Sequence, residues 1–200
     1  MIDFTALREV SERLERAPRV LDIACGTGML LQRLLAQLPG IEAYGIDVSE
    51  DMLAQARTAL KGLPRVHLER AEIGPGETAG LPYAPGTFDL ITCTNALHDL
   101  LDAEAALSGL RGLLAPGGQL VVEDFARRER PFPWTVFEWL LRLVERNRVH
   151  AFTLGEVQSL CKQAGLQVAS GEVFTVDWFW HGWVLRAYQA STPSICPPGA

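Results

Sequence analysis

The chain has 200 residues, of which 48% are hydrophobic and 21% charged, with a formal net charge of −6. That length suits one domain with a core large enough to fold without staples, and the composition excludes disorder, collagen repeats and a disulfide scaffold as whole-chain readings. The acid excess argues against a nucleic-acid partner, and no run reaches the roughly 20 apolar residues that cross a bilayer, so no membrane is expected either.

The segment MIDFTALREV carries acids and lacks a charged-then-apolar export signal, which points to a cytoplasmic protein. Cys25, Cys93, Cys161 and Cys196 have no paired spacing and read as reduced thiols. The four histidines are as scattered, so no metal site is expected.

Ile2, Phe4, Leu7, Val10 and Leu14 fall near helical spacing and predict an amphipathic first helix stopped by Pro18. RVLDIAC predicts a strand that runs into a glycine turn and then a helix through Leu38, closed by Pro39-Gly40. IEAYGID is the second strand, and Ser49 can cap the helix that follows. RVHLERAE is the third strand, 73–86 a loop, FDLITCTN the fourth strand, and DAEAALSGLRGLLAPGG a helix running into a turn. QLVVEDFA is the fifth strand.

Residues 126–152 read as an inserted substrate-side segment with an aromatic-rich helix. A helix ending at Gly165 follows it, then two strands, LQVASGEVFTV and WVLRAYQ, whose short connection favours an antiparallel pair. Alternating strands and helices give a Rossmann-like, doubly wound α/β sheet, mostly parallel, with helices on both faces. The domain is expected to span 1–190, followed by a disordered, proline-rich tail at 191–200.

VLDIACGTG carries the chemistry. Ligands of open α/β sheets bind beyond the carboxyl ends of the strands, and Gly26 and Gly28 allow a sharp, bare turn there, with Ala24 nearly as small. Asp47 ends the second strand, where a carboxylate accepts hydrogen bonds from ribose hydroxyls. A pyrophosphate cradle would need a third glycine where Leu31 stands, and Asp22 would repel a phosphate. The same acid suits S-adenosyl-L-methionine, whose ammonium and sulfonium are cationic.

DIACGTG, GIDVSEDML, LPYAPGTFDLITCTNALHDL and LRGLLAPGGQLVVED together resemble the class I S-adenosylmethionine-dependent methyltransferases, most closely the small-molecule branch of ubiquinone and menaquinone methyltransferases. The resemblance runs from about Val20 to Asp124, with Ala24 in place of the family's first glycine. It implies a seven-stranded sheet with an antiparallel last strand. It further implies that Asp22, Ala24, Gly26 and Gly28 contact the methionine part and Asp47 the ribose, with Val48 and Met52 flanking the adenine. The family's acid after the third strand is matched by Glu72, with Ile73 beside it, and Thr94 and Asn95 fall where backbone groups meet the methionine ammonium. Plainer readings stand beside these: a tight turn for the glycines, a helix-capping acid for Asp47, a solvated loop acid for Glu72 and a small filler for Cys25.

An oxygen acceptor needs a base, and His98, just past the fourth strand, lies where the methyl should point. N-A-L-H-D resembles the histidine stretch of aromatic O-methyltransferases; the alternative is a packing or capping histidine. His150 and His181 are weaker candidates, and His67 reads as structural. Asp124 ends the fifth strand on the same rim, while Glu123 points to the other face. A metal-assisted mechanism would want acids ending both strands, and the fourth ends in Thr94-Asn95. TNAL also lacks the N-P-P-Y type motif of DNA amino-methylating enzymes.

All five tryptophans lie after residue 133, clustered with Phe132, Phe137 and Phe179 in the insert and the last connection, where they would line an aromatic or apolar acceptor; Trp183 reads as core. The short stretch before the first strand implies an open pocket, a bulky acceptor or a second subunit, as in a homodimer. The expected activity is methyl transfer to a small-molecule acceptor, O-methylation ahead of C or N. Its rivals are a module that binds S-adenosylmethionine without catalysis, and an NAD-dependent oxidoreductase.

Overall fold

The computed structural model describes residues 5–38, 40–74, 76, 78–126, 151–175 and 181–189. They form α1 (Thr5–Arg13), β1 (Arg19–Ile23), α2 (Met29–Gln37), β2 (Glu42–Asp47), α3 (Glu50–Ala59), β3 (Val66–Arg70), β4 (Phe88–Thr94), a single 3₁₀ turn (Leu97–Asp99), α4 (Ala103–Leu113), β5 (Leu114–Phe125), α5 (Leu154–Gln163), β6 (Leu166–Thr175) and β7 (His181–Gln189). The aromatic insert, His150, the 176–180 connection and the 191–200 tail lie outside the described residues.

The strands make one sheet in the order β3-β2-β1-β4-β5-β7-β6. β1 to β5 pair in parallel, and β7 runs antiparallel between β5 and β6. This is the doubly wound, seven-stranded architecture expected from the alternation of elements, with the last strand reversed.

The central strands are buried on both faces, and the core that each residue joins alternates with the strand period of two. Leu21, Ile91, Leu120, Val122, Trp183 and Leu185 face the core shared with α4 and α5. Val20, Leu90 and Val121 face the opposite core, closed by Leu31 and Leu34 of α2 and Leu53 of α3. Trp183 is fully buried, as its strand position implied, and its indole N–H donates to the Phe152 carbonyl at 3.0 Å. His67 stacks on Tyr44 with ring centres 4.6 Å apart, a packing role.

Helix starts are set by side-chain caps. Ser49 Oγ accepts from the Met52 amide, Asp102 Oδ1 accepts from the Ala105 amide, and Thr153 forms a reciprocal capping box with Glu156. One boundary differs from the sequence reading. The A-P-G-G stretch belongs to β5: Leu114 pairs with Phe88, the register then shifts, and Gly117 at φ 74° takes up the extra residues.

Gly109 is where α4 touches the loop after β3. A Cβ there would lie 2.4 Å from the Ala79 amide nitrogen and 2.6 Å from Ala79 Cα. Alanine in a helix interior gains about 1 kcal/mol over glycine. Overpacking against a backbone that cannot swing away costs about 1–3 kcal/mol. Gly109→Ala is therefore expected to be net destabilising despite its better helix propensity, read as a lower urea midpoint; a raised midpoint would show that the loop gives way freely.

Candidate cofactor and acceptor site

The loop after β1 alternates into left-handed backbone: Ala24 at φ 52°, Gly26 at φ 54° and Gly28 at φ 77°. Glycine accepts this conformation without penalty, whereas a residue with a Cβ pays roughly 1–2 kcal/mol at Ala24. The strain is held by hydrogen bonds to the neighbouring strand end. The Cys25 amide donates to the Ile46 carbonyl at 2.9 Å. Asp47 Oδ2 accepts from the Gly26 amide at 2.8 Å while its Oδ1 accepts from the Ser49 amide at 2.8 Å. Asp47 thus clamps the loop and turns the chain into α3. Each carboxylate oxygen has a further lone pair, so ribose hydroxyls remain within its capacity.

The two glycines differ. Nothing lies within 4 Å of where a Cβ on Gly26 would stand, so that corner is open to a ligand. A Cβ on Gly28 would meet Leu60 Cδ1 at 2.9 Å and Ala56 Cβ at 3.2 Å. Gly28 is bare because α3 packs against it.

Asp22 lies beneath the loop, 1% exposed, accepting a 2.7 Å hydrogen bond from Thr92 Oγ1. Burial pushes its carboxyl up to about 7, Thr92 opposes the rise and the Asp47 charge adds to it. Cys25 sits beside both acids, and burial with their charges pushes its thiol up to about 12, so it fills space without reactivity.

Val48 and Met52 are exposed on either side of the α3 cap and form an apolar flank there. Arg70 Nε donates to the Val48 carbonyl at 3.0 Å and fixes that flank. Glu72 and Ile73 line one wall of a cleft of about 430 Å³, with Leu100, Leu101 and Asp102 on the other. Asn95 follows β4 in left-handed backbone at φ 51°, its amide donating to the Glu123 carbonyl at 2.8 Å.

His98 is on the 3₁₀ turn, its side chain 17% exposed. Its ring Nδ1 lies 2.8 Å from Asp124 Oδ1, and its backbone N–H donates to Asp124 Oδ2 at 3.0 Å. The Phe125 amide also donates to Asp124 Oδ1, at 2.7 Å. With a carboxylate accepting from Nδ1–H, the second ring nitrogen, Nε2, is turned away from Asp124. Nε2 has Asp99 Oδ2 at 3.4 Å. The sequence put Asp124 on this rim and missed the pairing. The signal was the parallel neighbourhood of β4 and β5: once Thr94 aligns with Glu123, residues just past β4 lie over Asp124.

The glycine loop clamped by Asp47 and the His98–Asp124 pair both lie past the carboxyl ends of parallel strands, on one rim of the sheet. Residues 21–120 match the methyltransferase domain family, so the chain belongs to that family. The chain is 40% identical over 121 residues to the demethylmenaquinone methyltransferase of Thermus thermophilus, covering 59% of this chain and 52% of that protein. It is 32% identical over 157 residues to a ubiquinone biosynthesis O-methyltransferase of Aromatoleum aromaticum, covering 76% and 64% respectively. The chain thus spans about half to two thirds of these relatives' length. The fold matches an S-adenosylmethionine-dependent methyltransferase from Mesorhizobium loti with TM-score 0.70 and 21% identity, over 90% of this chain and 95% of that one. The chain is a methyltransferase with the fold of the S-adenosylmethionine-dependent enzymes, and S-adenosylmethionine is the cofactor of that family. Among the described residues, no helix is long and apolar enough to cross a membrane.

Asp22 gives this site a pH signature. Its carboxyl, raised from 3.8 to about 7, is protonated in mildly acidic solution and charged above neutrality. A cationic ligand favours the charged form, so S-adenosylmethionine affinity is expected to rise up to about tenfold from about pH 5.5 to about pH 7. Folding has the opposite sign. The folded state holds the proton more tightly, so this contribution to stability is full below 3.8 and lost as pH rises through about 7. Calorimetric titration checks the first effect: Asp22→Asn should flatten the profile, and an unchanged slope would remove Asp22 as its source.

Proposed function

We propose that the chain transfers a methyl group from S-adenosylmethionine to the oxygen of a small aromatic or apolar acceptor. The observation that carries this reading is the His98–Asp124 pair. A module that only stores the cofactor needs no oriented base, and a carbon acceptor already carrying negative charge needs none at the moment of attack. One relative's name, a ubiquinone biosynthesis O-methyltransferase, supports an oxygen acceptor, while other relatives are named ubiquinone/menaquinone biosynthesis C-methyltransferases. When bound, S-adenosylmethionine supplies a methyl on a positively charged sulfur, whose loss leaves neutral S-adenosylhomocysteine.

The chain's own residues do the rest. Asp47 holds the loop and accepts from the ribose, Val48 and Met52 flank the adenine, and Glu72 takes its amino group. Asp22 supplies the negative potential under the cationic end. His98 Nε2 takes the acceptor's hydroxyl proton as the oxygen forms its bond to the methyl carbon and the carbon–sulfur bond breaks. Asp124 keeps the ring in the right tautomer and stabilises the imidazolium. The same reading includes a cytoplasmic enzyme, an acceptor that is neither nucleic acid nor membrane, and a second subunit as the candidate for closing the acceptor side.

The test couples S-adenosylhomocysteine release to a panel of phenols. His98→Ala should lower kcat by about 10²- to 10⁴-fold. Asp124→Asn should move in the same direction, and S-adenosylmethionine affinity should hold in both variants. Turnover by His98→Ala equal to the parent across about pH 6 to about pH 9 would remove the base. Cofactor binding with no product from any phenol would return the chain to a binding module.

A further inference from the structure

The outer strands of the sheet are β3 and β6, and their edges differ. β6 has ten residues, and its ladder shifts register between Val168 and Ser170, an irregularity that spoils an edge for a further strand. β3 has five residues, Val66–Arg70, and pairs with β2 without a break. The Arg65 carbonyl accepts from the Ala43 amide, and the Ala71 amide donates to the Asp47 carbonyl. The odd-numbered residues of β3 thus spend their backbone groups on β2. Those of Val66, Leu68 and Arg70 point outward and have no partner among the described residues.

The side chains say what fits that edge. His67 and Glu69 are exposed and project on one face of the strand. His67 stacks on Tyr44, with its Nε2 3.6 Å from Glu42 Oε1. Glu69 Oε2 accepts from the Tyr83 hydroxyl at 3.5 Å. Arg70 is turned back, its Nε donating to the Val48 carbonyl. Two copies of β3 can pair antiparallel, outward groups opposed, about a two-fold axis at His67, Leu68 or Glu69. An axis at His67 sets imidazole against imidazole, and one at Glu69 sets carboxylate against carboxylate. An axis at Leu68 sets His67 opposite the partner's Glu69, and Glu69 opposite the partner's His67. These are the close, non-hydrogen-bonded positions, with Cα atoms about 4.5 Å apart. The same register exchanges backbone bonds between the two copies of Leu68 and between Val66 and Arg70, roughly six bonds in all.

We propose that two copies of the chain associate through β3, antiparallel about Leu68, so that the sheet of one subunit continues into the next. Opposite partners directly across an antiparallel ladder stabilise it, and like charges there destabilise it. The order His-x-Glu is its own complement when the strand is reversed, which makes the occupant of this edge a second copy. Tyr44, Glu42 and Tyr83 already hold the side chains that meet, so little rotamer freedom is lost on pairing. A ladder without a broad apolar face is a weak contact, with a Kd of about 10 to about 500 μM. It is separate from any contact that closes the acceptor side, because β7 and β6 end the sheet at the other edge. It does not depend on the methyl-transfer reading.

Sedimentation velocity of the full chain from about 5 μM to about 1 mM should show monomer passing to dimer. Glu69→Lys sets a lysine opposite His67 in both contacts and should weaken the dimer by about 5- to 20-fold. The double variant, His67→Glu with Glu69→Lys, restores opposite charges only if position 67 meets position 69. It should bring the dimer back to the parent's strength or beyond. A cooperative melt of each variant reports an intact fold. A parent that stays monomeric at the top of the concentration range overturns the pairing. A dimer indifferent to Glu69→Lys, or one that the double variant fails to recover, overturns it as well.

Discussion

A single carboxylate makes the rim of this sheet into a site. Asp47 at the end of β2 holds the Gly26 amide with one oxygen and the Ser49 amide with the other. The first bond fixes a loop with three left-handed residues, one of them an alanine that disfavours that conformation. The second starts α3, which carries Met52 and packs on Gly28 through Ala56 and Leu60. The acid that ends β2 is thus also the architect of the loop. Removing it would disturb the corner at Gly26, the α3 cap and the Val48 flank together.

The acceptor side depends on a different geometric fact, the parallel register of β4 and β5. Cys93 opposite Val122 and Thr94 opposite Glu123 bring the turn after β4 over Asp124. Asp124 then accepts from both the backbone and the ring of His98, so the turn and the tautomer are set by the same group. A buried carboxylate with three N–H donors is well compensated, which is how Asp124 sits at 2% exposure there.

Much of this was legible in the chain. The apolar runs and their β-rich composition gave the strands, and the glycine loop, Asp47 and His98 were each named from the sequence before the fold brought them to one rim. What escaped was long-range. Nothing local to V-V-E-D-F says that its aspartate meets a histidine 26 positions earlier; that contact exists only once two strands align. Gly28 looked like a second bare approach to ligand, because a sequence cannot distinguish a glycine emptied for a cofactor from one emptied for a helix. The A-P-G-G stretch looked like a turn for a similar reason: proline and glycine signal irregular backbone, and a register shift inside a strand is irregular too.

The reversed strand β7 has a further result. Because it runs back between β5 and β6, the ends of β5 and β6 and the start of β7 share one edge of the sheet, with the Ala126 amide donating to the His181 carbonyl at 2.9 Å and Trp183 reaching Phe152. The chain leaves for its most aromatic stretches, and returns from them, at that edge. β4 stands between it and β1. Changes in the sequence hung from that edge therefore leave the pairing of β1 with β2 and β4, and the loop that Asp47 clamps, untouched.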